Sequence, residues 1–328
     1  MVNRRKFLRF GGALAGLGAA SLLRAQDPAA GWPNKTVRLI IPFTPGGSTD
    51  FQGRILCDWL GRHFGQQFVI DHKPGAGSNI GVAELARSAP DGYTLGWITV
   101  ASHAINPTLY AKMPFDHLRD FAPVSMTGTF PNLLVVNNNL PVRTVAELIA
   151  LLKKDPGKYA FASSGQGTSL HLSGEMFKVM TGTDMLHIPY KGGGPALTDV
   201  IGGQVHMTFG NMPTVIAQAR GGKVRPIAVT SPERWFTAPD IPAIAETVPG
   251  FQAMSWHGVA FPAATPSSIV EKLSAAIQRA MASAEMQEKY AAGGSRATAM
   301  TPQQFAAFIR EDTERWAPVI RASGARVE

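Results

Sequence analysis

The sequence predicts an α/β protein of two lobes, each an open sheet with a ligand cleft at the carboxyl ends of its strands. Three observations lead there. Strand-like apolar runs alternate with helix-like segments for most of the 328 residues, the pattern of βαβ units covered on both faces. Two such sets are alike in plan, each opening with a strand, a glycine-rich loop and a helix. The chain runs through one set, then the other, and returns with terminal helices, and open sheets of this kind bind ligands at their strand ends.

The elements follow in order. Val37–Ile41 is a strand, and Thr49 to Phe64 a helix. Phe68–Ile70 is a second strand, Ile80–Arg87 a second helix and Tyr93–Ile98 a third strand. Phe121–Met126 and Asn132–Val136 are expected as two further strands. Thr144 begins a helix with Glu147 three residues on, the capping-box spacing. Tyr159–Ala162 is a strand before a helix at Ser169–Met180. His187–Tyr190 is a strand before a helix at Pro195–Ile201. Val205–Phe209, Val224–Val229 and Ser255–Phe261 are strands, and Ser267–Ala284 and Thr301–Ser323 are helices. Lobe 1 is expected to be 26–129 plus 251–328, and lobe 2 to be 130–250.

The N-terminus has a separate role. Arg4-Arg5-Lys6-Phe7-Leu8 is a paired-arginine motif followed by an apolar run from Phe10 to Leu23. That run is too short for a bilayer needing about twenty residues. A basic start, a short apolar stretch and small residues before Gln26 make residues 1–25 an export signal of twin-arginine type, cleaved after Ala25. The mature protein is then expected in the periplasm. The whole chain carries 31 Lys+Arg against 23 Asp+Glu, a net +8. Five of the basic residues lie in the signal, which leaves 26 against 23, or +3. No basic stripe with interleaved aromatics remains, so nucleic-acid binding has no support. Cys57 is the only cysteine, so no intrachain disulfide can form. A buried thiol on a helix face accounts for it.

Four Gly/Ser/Thr-rich loops stand between a strand and a helix: 44–50, 74–79, 163–169 and 191–195. Glycine lets the backbone come close to a ligand, and each following helix presents unpaired N–H groups and partial positive charge, which suit an anion. Ser48, Thr49, Ser78, Asn79, Ser163, Ser164, Thr168 and Ser169 add hydroxyl and amide groups. Turn and N-cap chemistry explains any one such loop; four, two per lobe, point to a carboxylate clamp. His171 follows the third loop and is placed to touch ligand. Asp50 is either a functional carboxylate or a first-turn acid favoured by the helix dipole.

Catalytic readings are weaker. Gly75-Ala76-Gly77-Ser78-Asn79-Ile80-Gly81 has a GxGxxxG shape. It follows the second strand, however, and no acidic residue ends a strand about twenty positions on, where a dinucleotide ribose needs one. Ala162-Ser163-Ser164-Gly165 lacks the first glycine of a nucleophile elbow. The eight histidines are scattered, without HxxxH spacing for zinc. His187 and His206 lie in apolar strands and read as packed residues. An exported enzyme, an oxidoreductase carrying its cofactor or a hydrolase, is the alternative function. A ligand-sensing subunit is another.

At these loops the sequence resembles the Bug, or TctC-like, solute receptors of tripartite tricarboxylate transporters. Pro42-Phe43-Thr44-Pro45-Gly46-Gly47-Ser48-Thr49-Asp50 is similar to their first binding loop. His72-Lys73-Pro74-Gly75-Ala76-Gly77-Ser78-Asn79-Ile80-Gly81 is similar to their Asn-Arg-Pro-Gly-Ala-Gly-Gly-Asn-Ile-Gly stretch. Ser163 to Leu172 resembles their second-lobe loop, and Pro189-Tyr190-Lys191-Gly192-Gly193-Gly194, Ala228 to Ser231 and Trp256-His257-Gly258 also match in order. The resemblance spans nearly the whole mature chain. It implies a type II periplasmic binding protein-like fold whose lobes, each an open mixed sheet flanked by helices, close on a carboxylated metabolite. First-lobe amides and hydroxyls would hold one carboxylate, often through water, and Ser163–Ser169 the other end.

Two departures stand out. Gly210 precedes Asn211 where the family commonly has an acidic residue after Phe209, and His72-Lys73 replaces Asn-Arg. The first alters the polarity of the cleft and leaves dicarboxylate, aromatic acid and amide ligands all open. Loops and resemblance together make the candidate ligand-binding set Phe43, Pro45, Gly46, Gly47, Ser48, Thr49, Asp50, Gly77, Ser78, Asn79, Ser163, Ser164, Gly165, Gly167, Thr168, Ser169, His171, Tyr190, Lys191, Gly192 and Asn211. The expected function is capture of a small organic anion and its delivery to membrane permease subunits by a monomeric receptor, without catalysis, metal or cofactor.

Overall fold

The computed structural model describes residues 27–327. The expected export signal and its cleavage site lie outside the described residues.

The first sheet begins with β1 (Val37–Ile41), α1 (Ser48–Phe64), β2 (Phe68–His72), α2 (Asn79–Ala86) and β3 (Thr94–Thr99). β1 runs parallel to both β2 and β3. After β3 come a helical turn at Ala101–Ile105 and the short α3 (Asn106–Leu109). Then β4 (Phe121–Val136) runs for 16 residues without a break. The two strands expected over this stretch are therefore one, because Thr127 to Pro131 stay extended and keep pairing.

β4 joins the two sheets. In the second sheet the chain forms α4 (Val145–Lys154), β5 (Ala160–Ser163), α5 (Ser169–Thr181), β6 (Leu186–Pro189), α6 (Gly193–Ile201), β7 (Met207–Asn211), α7 (Met212–Arg220) and β8 (Arg225–Val229). It returns to the first sheet as β9 (Met254–Pro262) and closes with α8 (Ser267–Ala282), α9 (Ala284–Ala292), the two-residue β10 (Arg296–Ala297) and α10 (Pro302–Ser323). Residues Phe121 to Pro131 of β4 pair antiparallel with β9. Asn132 to Val136 pair antiparallel with β7 and β8. The strand path is β2-β1-β3-β9-β4-β7-β5-β6, mixed rather than wholly parallel, with β8 and β10 also on β4.

Both faces of each sheet are buried, as period-2 side-chain alternation requires. Leu39 and Ile41 join Leu56, Leu60, Trp97, Phe261 and Ile277 under α1 and α8. Ile40 and Ile98 point the other way, to Val82, Leu85, Phe305 and Ile309 under α2 and α10. In the second sheet Leu134 and Val136 meet Leu148, Phe161 and Phe177, while Leu133 and Val135 meet Val200, Val215 and Ile216. Cys57 is one of the buried side chains, and burial pushes its thiol up to about 12.

Local caps modify two expectations. Thr144 Oγ1 accepts the Glu147 N–H at 3.1 Å, but the Glu147 carboxylate reaches back to the Arg143 N–H, at 2.6 Å. The box therefore closes one residue earlier than its spacing suggests. α6 begins at Gly193, two residues before Pro195. α7, α9 and β10 were not anticipated: α7 and α9 are nine residues each, and β10 is two.

Candidate functional site

Both lobes' loops meet across one cleft. From the first lobe, Gly46 takes a left-handed φ of +83° to turn the chain into α1. Its N–H donates to Asp50 Oδ2 at 3.0 Å, and Asp50 also lies 3.0 Å from Arg54 Nε and 3.2 Å from His72 Nε2. Burial alone would raise the Asp50 pKa, but the Gly46 N–H, Arg54 and His72 together hold it below the usual range. His72 Nδ1 is in turn 2.8 Å from the Phe43 carbonyl oxygen. Asp50 thus braces the loop from behind.

The second first-lobe loop is unusual in backbone. Ala76, Gly77 and Ser78 take successive positive φ values of 47°, 57° and 92°, a conformation that non-glycine residues adopt at a cost and that concentrates at functional sites. Asn106 Nδ2 secures it by donating to the Gly77 carbonyl at 3.0 Å and to Asn79 Oδ1 at 2.8 Å. Asn79 is thereby occupied, whereas the wholly buried Ser78 Oγ has no protein partner among the described residues.

In the second lobe, Ser163 Oγ sits 2.6 Å from His187 Nε2 and accepts the Gly165 N–H at 3.1 Å. Thr168 Oγ1 donates to the Gly165 carbonyl at 2.7 Å, and the Gly167 N–H donates to His171 Nδ1 at 3.3 Å. The His171 and His187 rings stack at 4.1 Å. Burial lowers His171 to about 4; burial, then the neighbouring His171 and Lys178, lower His187 to about 3. His187 is therefore not just a packed strand residue: it anchors a loop. His206 is half-buried and accepts the Ala160 N–H on Nδ1 at 3.1 Å. The Ser163–His187 contact has the reach of a nucleophile–base pair. Ser163 is wholly buried, however, and both partners are committed to shaping the loop.

The lobes touch. Ser48 Oγ donates to Asn211 Oδ1 at 3.1 Å, and the Thr44 N–H donates to the Lys191 carbonyl at 3.2 Å. Glycines allow the approach. A Cβ on Gly77 would overlap the Gln166 carbonyl, one on Gly192 would overlap the Thr44 hydroxyl, and one on Gly194 would lie 2.9 Å from the Pro45 carbonyl.

Between the lobes lies a narrow cavity of about 20 Å³. The first lobe lines it with Phe43 and with Gly47, Ser48 and Thr49 at the start of α1. The second lines it with Ser164, with Thr168 and Ser169 at the start of α5, with Gly193 at the start of α6, and with Asn211, the N-cap of α7. Four helix N-termini converge on one space, each with roughly half a positive charge. Among the described residues, no Lys, Arg, Asp or Glu lines it. A second space beside it is lined by Gly75 to Ser78, Tyr110, Gly165, Gln166 and Pro189 to Lys191, with Phe43 and Ser164 bordering both. There the Tyr190 hydroxyl donates to Asp199 Oδ2 at 2.5 Å, and burial with that bond raises its pKa to about 12. Pro45 and Gly46 border a shallow groove against α6. Asp50, Asn79, Ser163, Gly167, His171 and Gly192 line none of these spaces and instead brace the loops or let them meet.

Thr99, Val100, Ala101, Ser255 and His257 complete the cavity and were not among the candidates. They come from the ends of β3 and β9, where no glycine-rich loop marks them. Only the Trp256-His257-Gly258 motif drew attention to one of them. Gly210 has a packing explanation: the space its side chain would fill is taken by Val215, and in the strand it pairs with Leu133. The cleft's polarity is set instead by Asn211, whose Nδ2 donates to Asn132 Oδ1 at 2.6 Å and to Ser169 Oγ at 3.2 Å.

Residues 53–325 match the family described as tripartite tricarboxylate transporter family receptor. The chain belongs to that family. BugT of Bordetella pertussis is 38% identical over 94% of this chain and 96% of its own length. The solved structure of R. palustris Rpa4515 with adipate is 37% identical, with a TM-score of 0.88 over 90% of this chain and 100% of that one. MatC from Rhodopseudomonas palustris with bound malate is 29% identical, with a TM-score of 0.83 over 88% and 100%. The protein is a two-lobed solute-binding receptor of this family. Among the described residues no helix is long and apolar enough to cross a membrane.

Proposed function

We propose that this receptor works outside the cytoplasm, binds a small carboxylate-containing metabolite between its lobes, and delivers it to a tripartite tricarboxylate-type membrane transporter. One observation carries the reading: among the described residues, four helix N-termini surround a cavity with no formal charge, and two buried hydroxyls beside it, Thr49 Oγ1 and Thr99 Oγ1, have no protein partner. Amide N–H groups and helix dipoles favour an anion without a counter-ion, and an unpaired buried hydroxyl is costly until a ligand satisfies it. Adipate and malate in two relatives support a small organic acid as the ligand. The paired-arginine N-terminus supports export. The lobes are 26–129 with 251–328 and 130–250, hinged through β4 and the start of β9, and the twenty-one candidate residues contact or support the ligand.

The test is thermal unfolding of the mature protein with mono-, di- and tricarboxylates, aromatic acids and amides. A binder raises stability by about 2.7 kcal/mol at a hundred times its Kd. Uptake of the labelled binder by cells should then fall on deletion of the receptor and return with the wild-type chain. Absence of any shift across the panel, with turnover of one of its members, overturns the proposal.

A further inference from the structure

We infer that His257 reads the substituent on the bound acid: its imidazole presents a lone pair to the cavity and selects a carboxylate bearing a hydroxyl or amino group over the unsubstituted acid of equal length. This specificity rests on the solute-binding proposal above and goes one step further, to the chemical class of the solute.

The position is set by strand pairing. His257 in β9 lies opposite Thr99 in β3, and paired residues of antiparallel strands share a face. That face lies beneath the first turns of α1, where Thr49 borders the same cavity. The ring is clamped edge-to-face by Trp97 at 5.5 Å and Phe130 at 4.7 Å. Only 2% of the residue is exposed.

The proton is placed by Gln52 and Ser295, behind the ring. His257 Nδ1 is 2.8 Å from Gln52 Oε1, and the wholly buried Gln52 turns its amide nitrogen to Ser295 Oγ at 2.8 Å. An amide oxygen can only accept, so Nδ1 carries the proton. A neutral imidazole with Nδ1–H has an acceptor at Nε2. Burial pushes the His257 pKa down to about 3, so the ring is neutral at physiological pH and supplies no counter-charge. Nε2 has no protein partner among the described residues.

These contacts assign different tasks to neighbouring groups. The Thr49 and Thr99 hydroxyls rotate and can donate to a carboxylate or accept from a donor. The imidazole cannot change sign. A methylene against Nε2 leaves a buried acceptor unpaired, and a carboxylate oxygen there sets two lone pairs against each other. A ligand O–H or N–H satisfies it. Sites built around such a bond reject the analogue that lacks the donor more strongly than sites relying on shape. The discrimination expected here is about tenfold in Kd.

The experiment is calorimetric titration with succinate, glutarate and adipate, and with their 2-hydroxy and 2-amino counterparts. The wild type should bind at least one substituted acid about tenfold more tightly than its parent. His257→Asn keeps an N–H toward Gln52 but leaves no acceptor at the Nε2 position, its amide oxygen stopping short of it, and the preference should shrink to about onefold while the parent acid still binds. Gln52→Met leaves the cavity wall intact and frees the tautomer, so the preference should fall there too. Long-range ¹H–¹⁵N spectra give a readout that loss of packing would not mimic: His257 should show protonated Nδ1 in the wild type and an Nε2–H population in Gln52→Met. Equal binding of parent and substituted acids, a preference that survives His257→Asn, or an Nε2–H tautomer in the wild type would overturn the inference and leave the solute-binding proposal standing. No binding by any of these acids would overturn the inference, and the broader panel above then decides the solute-binding proposal separately.

Discussion

The two walls of the cleft use their polar groups differently. In the second lobe nearly every one is already occupied: Asn211 bonds Asn132 and Ser169, Thr168 bonds Gly165, and Ser163 is held by His187. In the first lobe the hydroxyls of Thr49, Ser78 and Thr99 are buried and have no partner among the described residues. Satisfied networks rigidify, whereas unpaired buried groups favour whatever completes them. The second lobe is a preorganised wall, and the first holds hydrogen-bonding capacity that the proposed ligand would use. Ser48 connects the two, since its hydroxyl donates across the cleft to Asn211.

The largest effect should come from keeping the walls apart. In Gly77→Ala the new methyl meets the Gln166 carbonyl only when the lobes are together. Affinity should drop about a hundredfold or more, because binding is diluted by the fraction of molecules able to close. Gly77 has a φ of 57°, so alanine there also costs about 1 kcal/mol of backbone strain. Gly194→Ala separates the two effects: its methyl meets Pro45 and Gly46 across the cleft without a left-handed φ, and affinity should fall while the unliganded melting temperature holds. Calorimetry with parallel melting curves checks both.

Next in size is Asn211→Asp. The carboxylate cannot donate to Asn132 Oδ1 or Ser169 Oγ, and it brings negative charge to a cavity arranged for an anion. Affinity for an acid should fall about thirtyfold, by the roughly 2 kcal/mol typical of breaking a buried network and repelling a charge. An unchanged Kd would mean that the ligand lies away from Asn211. Smaller still are Thr49→Val and Thr99→Val, each expected to weaken binding about tenfold while leaving the unliganded protein as stable as before, because no protein hydrogen bond is lost. Ser163→Ala should do the reverse, destabilising the fold by roughly 1–3 kcal/mol through the unpaired His187 and Gly165 groups, with little change in Kd. If Thr49→Val destabilises as much as Ser163→Ala, the contrast between the walls is wrong.

Much of the fold was legible because the sheets are buried on both faces, so apolar runs such as Val37–Ile41 stand out between glycine-marked loops. The first-lobe and second-lobe loops were legible for a related reason: Gly46, Gly77 and Gly192 are needed where chains turn sharply or meet across the cleft. Other features leave no such mark. β4 crosses from one sheet to the other at Asn132 without any break in its extended backbone, so composition suggested two strands. α7 opens on Met212-Pro213 directly after β7, with no side-chain cap from Asn211 and no polar stretch between strand and helix to mark its start. Thr99 and His257 enter the cavity from strand ends that pair only because β9 returns from the far end of the chain, a long-range contact that local pattern does not carry.

The smallest effect concerns acid. His187 has its pKa lowered to about 3 by burial and by neighbouring positive or titratable groups, His171 and Lys178, whereas an unfolded histidine titrates near ~6.5. Below that value the unfolded chain binds a proton that the folded chain refuses. Stability contributed by the neutral ring is therefore complete above about pH 6.5 and is lost as pH falls toward 3. Full burial would give about 1.4 kcal/mol per pH unit; His187 is only half-buried, so about 1 kcal/mol between pH 7 and 5.5 is the expected share. His187→Gln keeps an amide donor near Ser163 and removes the titration. Its urea midpoint should fall less than the wild type's over that interval, and the same substitution should leave the pH dependence of Kd unchanged, since His187 stands behind the second wall and not in the cavity. A Kd profile that moved with His187→Gln would show that the second lobe's network is not rigid and adjusts with the ligand.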